Sequence, residues 1–330
     1  MAETIRWGIL STGAIAREFA EDLQVVPDAT LLAVGSRSQD SADAFGDDFN
    51  IERRYASYEA LVQDDDIDAI YIGTPHPFHK NNSILCLNHG KAVLCEKPFT
   101  MNAREAQQVI DVAREKGIFL MEAMWTRYIP AIAKLRELLA DNVIGDINLL
   151  DIDFGFRAGL DPQHRLFNRA LGGGTLLDIG VYSLSMASMA IGTPSRIQSM
   201  AHIGETGVDE SAAIILGYDN CDTLTTISTS VRTDKLNTVV FNGTKGRIIV
   251  HALWWAPCDI TVEIYGEDTT KIHLPLNAHG YNYQAEEVGR CLRAGLTESD
   301  IMPLDETLSI MKTMDAIREQ WGLSYPADEV

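Results

Sequence analysis

The 330-residue sequence has few cysteines and no uninterrupted apolar run that approaches membrane-spanning length. Because a helix that crosses a bilayer needs about 20 apolar residues, we expect no membrane partner. The first residues also lack the basic segment followed by an apolar segment that marks a secretory signal. The five cysteines are scattered and form no C-x-x-C pair, which is typical of reduced thiols. We therefore expect a cytoplasmic protein with no bound metal.

Basic residues are scarce relative to acidic ones. The chain has 27 lysines and arginines against 47 aspartates and glutamates, a formal net charge of −20. Such a balance argues against nucleic acid and anionic membrane surfaces as partners, and it leaves a small-molecule substrate as the expected one. The length is sufficient for two domains with an ample core.

The first third of the chain alternates strand and helix patterns. Apolar runs near residues 5–10, 30–35, 68–73, 92–95 and 118–121 predict strands, and segments near 13–23, 41–49, 76–88 and 102–116 predict helices. Near-continuous apolar strands between helices are typical of a parallel sheet covered on both faces. We predict an α/β fold in which residues 1–124 form a dinucleotide-binding domain of the Rossmann type.

From residue 125 onward the pattern changes. Strand-like segments follow one another near 147–156, 200–203, 211–218, 223–231, 237–242, 246–251 and 259–265, with helices near 130–140, 175–190 and the C-terminus. Strands in series without intervening helices predict a large open, mostly antiparallel sheet. We expect residues 125–330 to form an α+β substrate domain that also pairs two subunits into a homodimer through the open sheet face.

The first strand leads into a degenerate phosphate-binding loop. In the G-x-G-x-x-G/A pattern that opens a Rossmann helix, Ser11 takes the first glycine position, Gly13 the second and Ala16 the third. Gly13 stands where the backbone must approach a pyrophosphate, and the helix that follows supplies free N–H groups. An ordinary strand-to-helix turn is the alternative. We assign this loop to the cofactor: Ser11, Thr12, Gly13, Ala14 and Ile15.

No acidic residue follows the second strand, where an NAD site usually has one. The segment reads Gly35-Ser36-Arg37-Ser38. Arg37 can pair with a ribose 2′-phosphate through charge-assisted hydrogen bonds, assisted by Ser36 or Ser38. We therefore predict NADP as the cofactor, with NAD less favoured; an arginine that only solvates a turn is the alternative.

The segment Glu96-Lys97-Pro98 follows a probable buried strand. Proline biases the preceding residue toward extended geometry, so Lys97 stands at the carboxyl end of a strand, where open α/β sheets bind their ligands. A surface turn with a solvated lysine is the simpler alternative. The loop 74–79 lies at the same sheet edge, and it makes His79 a candidate substrate contact.

The order of these motifs resembles the Gfo/Idh/MocA oxidoreductases. The segments that carry the resemblance are STGAIA, SRS, GTPHPFH, CEKP and MEAMWTR, together with LGGGTLLDIGVY at 171–182. Among that family the chain is most like the dimeric dihydrodiol dehydrogenases and related NADP-dependent D-xylose dehydrogenases. The common family pattern of Asp followed four residues later by His is here Asp178 and Tyr182, a departure that this subgroup shares.

The resemblance implies hydride transfer between a nicotinamide and a secondary alcohol of a cyclic diol or sugar. We expect Tyr182 to act as the acid/base, although an unperturbed tyrosine has a pKa of about 10, with the Lys97 ammonium lowering it. Asp178, four residues before Tyr182 on one helix face, would orient Lys97 or the substrate; a capping acid behind Thr175 is the alternative. The resemblance further implies a cis Lys97-Pro98 bond.

The remaining predicted site residues divide between cofactor and substrate. The cofactor set also includes Thr74, His76, Glu96, Lys97, Trp125 and Arg127. Phe154 and Phe156 alternate along a strand and, with Trp125, could form an apolar substrate wall; a sheet face packed on a helix is the alternative. Two other functions fit the same sequence: another sugar oxidoreductase of the anhydrofructose reductase type, or an NADP-binding regulator without turnover.

Overall fold

The computed structural model describes residues 4–329. By packing, these residues form two compact units. Unit 1 comprises the chain as far as Tyr128 together with Asn277–Leu308, and unit 2 comprises Ile129–Leu276 together with the chain from Ser309 onward. The predicted boundary near residue 124 lies close to the first passage between the units. The return of 277–308 to unit 1 was not predicted.

Unit 1 is built on a six-stranded parallel sheet, as predicted. Its strands are β1 (Ile5–Leu10), β2 (Ala29–Gly35), β3 (Arg53–Tyr55), β4 (Ala69–Ile72), β5 (Ala92–Glu96) and β6 (Leu120–Ala123). The spatial order is β3-β2-β1-β4-β5-β6, so the direction of winding reverses between β1 and β4. Every residue of β4, β5 and β6 is buried, which explains their continuous apolar sequences.

Helices connect these strands and continue the chain. They are α1 (Ala14–Leu23), α2 (Gln39–Phe49), α3 (Tyr58–Val62), α4 (His79–Asn88), α5 (Ala103–Lys116), α6 (Pro130–Ala140), α7 (Val181–Ile191), α8 (Asn282–Arg293) and α9 (Leu304–Trp321). In α5 the cap is reciprocal: Asn102 accepts from Glu105 N at 2.9 Å, and the Glu105 carboxylate accepts from Met101 N at 3.2 Å. The short elements β3 and α3 were not predicted.

Unit 2 contains an eight-stranded sheet that is mostly antiparallel, as predicted. Its strands are β7 (Ile147–Gly155), β8 (Arg196–Ile203), β9 (Asp209–Gly217), β10 (Leu224–Ser230), β11 (Val239–Gly243), β12 (Gly246–Val250), β13 (Asp259–Ile264) and β14 (Thr270–His273). The order is β14-β13-β12-β11-β7-β10-β9-β8, and only the β7–β10 pair is parallel among these strands.

One helical stretch in the described part of the chain, Arg169–Ile191, is long and apolar enough by length and composition to cross a membrane. Its most apolar window is 78% buried inside the fold, so it is here a core helix of unit 2. This stretch contains the predicted helix near 175–190. Within this stretch, Leu176–Gly180 is a π-helical turn that continues into α7.

A buried aspartate holds the start of the π-helical turn. The Asp209 carboxylate, at the beginning of β9, accepts a hydrogen bond from Leu176 N at 2.7 Å. Gly174 has a φ of +116°, and a Cβ built on it would lie 2.0 Å from Asp209 Oδ1, so only glycine fits. The predicted cap at Thr175 is wrong, because that residue is already helical and its side chain makes no capping bond.

Replacement of Asp209 by asparagine should change how stability depends on pH. Burial, the main cause, raises the pKa of Asp209 from 3.8 to about 7. A carboxyl group whose pKa is higher in the folded chain than in the unfolded chain stabilises the fold at low pH and loses that contribution as pH rises to about 7. Relative to Asp209→Asn, the wild-type free energy of unfolding should therefore fall by about 2 kcal/mol between pH 5 and pH 8.

Urea denaturation of both proteins at the two pH values measures this difference. Asp268→Asn is the matched control, because Asp268 is exposed and its replacement should leave the difference constant. Parallel pH dependences for wild type and Asp209→Asn would contradict the prediction.

Candidate active site

The loop after β1 keeps a glycine-like backbone although it starts with serine. Ser11 has a φ of +123°, a conformation that side chains rarely adopt. Its hydroxyl donates to Gly73 O at 2.9 Å and accepts from Gly13 N at 3.2 Å, which ties this loop to the end of β4. The two bonds compensate for the missing glycine. They fix the loop at the point where the winding of the sheet reverses, the usual place for a ligand.

The geometry of this loop fits a dinucleotide. A Cβ built on Gly13 would contact only Ser11 Oγ, at 3.6 Å, so the protein itself leaves the approach to Gly13 open. Gly13 occupies the cap position of α1 and has no side chain to bond the first N–H groups of the helix, which is where helices bind anions. At the third glycine position, Ala16 packs 3.6 Å from a Cβ built on Gly73, which shows how closely helix and strand approach.

The segment after β2 presents a cation and hydroxyl groups beside a helix start. Ser36 is buried, whereas Arg37 and Ser38 are exposed. Ser38 caps α2, because its hydroxyl accepts from Ser41 N at 3.3 Å. Burial is the main cause that raises the pKa of Tyr58, and the Arg37 charge opposes this rise. This arrangement fits a 2′-phosphate.

Buried side chains hold the turn formed by residues 96–99 on both sides of Lys97. The Lys97-Pro98 bond is cis, as the resemblance implied. Before the lysine, Glu96 accepts from the Tyr71 hydroxyl at 2.7 Å, and it also accepts from Lys97 N at 3.3 Å. Burial, and then the neighbouring Glu96 charge, raise the pKa of Tyr71, so this phenol stays protonated and donates.

The structure gives His79 a different role from the predicted substrate contact. The ring is completely buried, with Nδ1 2.8 Å from Pro98 O and Nε2 2.7 Å from Thr74 O. Both nitrogens thus face backbone carbonyls and neither is directed at a ligand. The pKa of His79 is lowered, mainly by burial, although the hydrogen bonds to backbone carbonyls oppose this change. A neutral ring has one N–H and therefore donates to one carbonyl at a time. His79 joins the loop after β4 to the turn 96–99.

Other residues predicted for the cofactor lie around these loops. Thr74 is buried and its hydroxyl accepts from Asn82 at 3.1 Å. The His76 ring lies edge-on to His79, with centroids 5.8 Å apart. Arg127 is buried in an ion pair with Glu306 at 2.6 Å, so within unit 1 it has a structural partner.

Trp125 is also buried in unit 1, and its ring packs against Tyr281 with centroids 4.5 Å apart. The chain at Tyr281 is held by Asp22, which is completely buried and accepts from Tyr281 N at 2.7 Å. The Asp22 carboxylate also accepts from His279 N, at 3.1 Å.

In unit 2, Asp178 and Tyr182 lie on consecutive parts of one helical stretch. Asp178 is buried in the π-helical turn and forms an ion pair with Arg165 at 2.7 Å. Tyr182 follows in α7 and is 7% exposed. A π turn holds slightly more than four residues, so the separation of four residues is close to one turn. That Asp178 and Tyr182 share a face stays a prediction.

Aromatic rings adjoin Tyr182. Phe154 meets Tyr182 edge-to-face at 5.8 Å and stacks on Trp255 at 3.8 Å and 10°. Trp254 is completely buried and donates to Asp153 O at 2.9 Å, while Trp255 is partly exposed. Strand β7 ends at Gly155, so Phe156 lies just past the strand, half-buried.

Several residues around these groups escaped sequence reasoning. Arg165, the partner of Asp178, stands in a loop with no local signal for that role. Tyr71 and Glu122 lie within apolar strands, and there a tyrosine hydroxyl or a carboxylate needs a partner. A search for polar residues in otherwise apolar strands could have found both of them.

Comparisons with known proteins agree with this architecture. A family model described as an oxidoreductase family with an NAD-binding Rossmann fold matches residues 5–124, and a model of the GFO/IDH/MocA C-terminal domain matches residues 132–249. Trans-1,2-dihydrobenzene-1,2-diol dehydrogenase from Mus musculus is 37% identical over 98% of this chain and 99% of its own length. The human protein of that name is 36% identical with the same coverage.

Solved structures share the fold over nearly the whole chain. The 3-ketoreductase KijD10 from Actinomadura kijaniata, in complex with NADP and TDP-benzene, is 25% identical with a TM-score of 0.84, over 96% of this chain and 98% of that one. A levoglucosan dehydrogenase in complex with NADH and levoglucosan is 17% identical with a TM-score of 0.89, over 97% and 98%. Taken together with the geometry of the two units, these matches show that the chain belongs to the Gfo/Idh/MocA family of NAD(P)-binding oxidoreductases.

Proposed function

We propose that this protein is an NADP-dependent dehydrogenase that acts on a secondary alcohol of a cyclic diol or sugar, of the trans-dihydrodiol or D-xylose type. The observation that carries the substrate class is the set of rings beside Tyr182, in which Phe154 lies between the tyrosine and Trp255. Aromatic faces bind the apolar face of a ring while a hydroxyl group reaches the tyrosine. The near-full-length relatives named as dihydrodiol dehydrogenases support the same class.

The proposed roles follow the chemistry of each side chain. When bound, the nicotinamide cofactor supplies the hydride acceptor. Tyr182 takes the proton of the substrate hydroxyl, for which the phenolate form is required. Asp178 keeps the Arg165 guanidinium at 2.7 Å and thereby fixes the turn that precedes Tyr182. That Lys97 lowers the pKa of Tyr182 stays a prediction.

The same reasoning supports NADP rather than NAD. Arg37 is exposed and Ser38 caps α2, so a guanidinium, a hydroxyl and a helix start adjoin after β2. These groups suit the charge and the oxygen atoms of a 2′-phosphate. A cytoplasmic location and the absence of nucleic-acid and membrane partners stay predictions.

The open face of the unit 2 sheet is proposed as a homodimer interface. At one edge, Gln320 accepts from Ser199 N at 2.8 Å and donates to Ile197 O at 3.1 Å, so this edge of β8 is covered. The face beside it exposes apolar side chains, with Met200 at 77% and Ile215 at 49%. A second subunit would therefore pack face to face rather than extend the sheet at that edge.

Activity measurements test the proposed reaction. Purified protein with NADP should produce reduced nicotinamide with trans-dihydrobenzenediol or D-xylose. Tyr182→Phe removes the hydroxyl that receives the proton, and we expect kcat to fall by about 100-fold or more with cofactor affinity unchanged. Full turnover by Tyr182→Phe would exclude the assigned base.

Reduction of anhydrofructose without diol or aldose oxidation would favour the alternative sugar reductase, and cofactor binding without any turnover would favour a regulator.

Arg37→Ala should affect the use of NADP more than the use of NAD. Loss of a charge-assisted contact to the 2′-phosphate should raise KM for NADP by about tenfold to 100-fold, whereas KM for NAD should change little. Arg37→Lys, which keeps the charge but not the fork of donors, should lie between the two. Equal effects on both cofactors would place Arg37 outside the 2′-phosphate site.

Met200→Arg should convert a homodimer into monomers, because it places a charge within the proposed apolar interface. Sedimentation velocity or light scattering gives the mass directly. Leu236→Arg is the control, since Leu236 is 80% exposed but lies in the loop between β10 and β11, outside the sheet face. A Met200→Arg protein that stays dimeric would exclude this face as the interface.

A further inference from the structure

Glu122 is a buried carboxylate that contacts the turn bearing Lys97. It lies in β6, opposite Cys95 of β5 in the parallel register, and only 1% of its surface is exposed. Burying an ionised group without compensation is strongly unfavourable. Specific hydrogen bonds must therefore compensate for the burial of this group. The partners in these bonds indicate the role of the carboxylate.

Each oxygen of Glu122 has a donor within unit 1. Oε1 accepts from Phe99 N at 3.1 Å, and Oε2 accepts from the Thr307 hydroxyl at 3.0 Å. Because Pro98 has no N–H, the Phe99 amide is the first backbone donor after Lys97. Glu122 thus fixes the chain immediately after the lysine and proline, as Glu96 fixes it immediately before them.

We propose that Glu122 is the positioning residue for Lys97, and that it holds the turn 96–99 as an ionised carboxylate. The inference rests on the proposed function, in which Lys97 takes part in catalysis. It assigns to Glu122 no contact with the substrate or the cofactor. Its effect is exerted through the backbone at Phe99.

The ionised form matters because a carboxylate accepts at both oxygens. Hydrogen bonds to a charged acceptor are about twice as strong as neutral ones. Once Oε2 is protonated, its O–H can donate to the Thr307 hydroxyl, but Oε1 becomes a neutral acceptor, which weakens the bond from Phe99 N. Protonation of Glu122 is therefore expected to loosen the turn and to lower the fraction of molecules in which Lys97 is correctly placed.

The surroundings bring this titration into an accessible range. The pKa of Glu122 is raised from 4.5 to about 7. Burial is the main cause, and the charge on Glu96 acts in the same direction. Three neighbours oppose this rise by stabilising the ionised form: the Thr307 hydroxyl, Phe99 N and the Arg127 guanidinium. A further titratable neighbour is Cys95 on β5, whose own pKa is raised chiefly by burial, so it stays a neutral thiol.

Three variants test the proposal through the pH dependence of kcat. In the wild type we expect kcat to fall as the pH drops through about 7. Glu122→Gln cannot titrate, so it should lose this step and have a roughly tenfold lower kcat at pH 8, with KM for NADP changed little. Thr307→Val removes a donor that lowers the pKa, so the midpoint should move to higher pH; Thr307→Ser, the matched control, should keep it.

A step that keeps both its midpoint and its amplitude in Glu122→Gln, or a midpoint that does not move in Thr307→Val, would overturn the proposal. A loss of stability alone would not displace the midpoint in Thr307→Val while leaving it in place in Thr307→Ser. If the wild type turns over no member of the substrate panel, it is the proposed function that fails.

A readout independent of turnover decides the inference in every case. In protein carrying ¹³C-labelled glutamate and ¹⁵N-labelled phenylalanine, one glutamate carboxyl signal should titrate near pH 7, and the Phe99 amide signal should shift with the same midpoint. Both midpoints should rise together in Thr307→Val. Glutamate labelling keeps the buried Asp209 out of the measurement. A Phe99 amide that ignores the carboxyl titration would disprove the coupling, even if Glu122→Gln did not fold.

Discussion

The hydrogen bonds that hold the turn 96–99 are the constraint on which the candidate site of unit 1 depends. Tyr71, His79 and Glu122 come from β4, α4 and β6, and each is buried where it bonds the turn. A turn fixed by side chains from three elements has little conformational freedom left to lose. Lys97 is therefore placed by the core of the unit before any ligand binds, which reduces the entropic cost of reaching a reactive arrangement.

Each unit has a buried acid that bonds the backbone near one of its own predicted site residues. Glu122 bonds the backbone two residues after Lys97, and Asp209 bonds the backbone two residues before Asp178. A carboxylate in such surroundings costs stability, and burial raises the pKa of both groups to about 7. Hydrophobic residues would make more stable cores at these positions, but they could not fix a backbone N–H in one place.

Sequence patterns predicted the features that depend on residues close together in the sequence. Apolar runs predicted the central strands of unit 1, because strands buried on both faces need such runs, and the proline predicted the constrained Lys97. Contacts distant in sequence were not accessible in this way. His79 lies beside a plausible ligand loop, but its burial depends on Pro98, 19 residues away, and Asp178 is paired with an arginine that no spacing rule selects. The π-helical turn also escaped prediction, because the sequence pattern of a π turn is that of an ordinary helix.

The structural relatives show why the shared fold leaves the choice of cofactor open. Proteins with TM-scores of 0.84 and 0.89 to this chain were crystallised with NADP and NADH, respectively. The discriminating groups must therefore lie in short segments that vary without disturbing the sheet. The segment 36–38 is of this kind: Ser36 is buried at the strand end, whereas the Arg37 side chain extends from the surface. In the proposed site, substitution at Arg37 would change the charge presented to the ribose while β2 and the cap of α2 remain intact, so cofactor preference and fold stability could change independently.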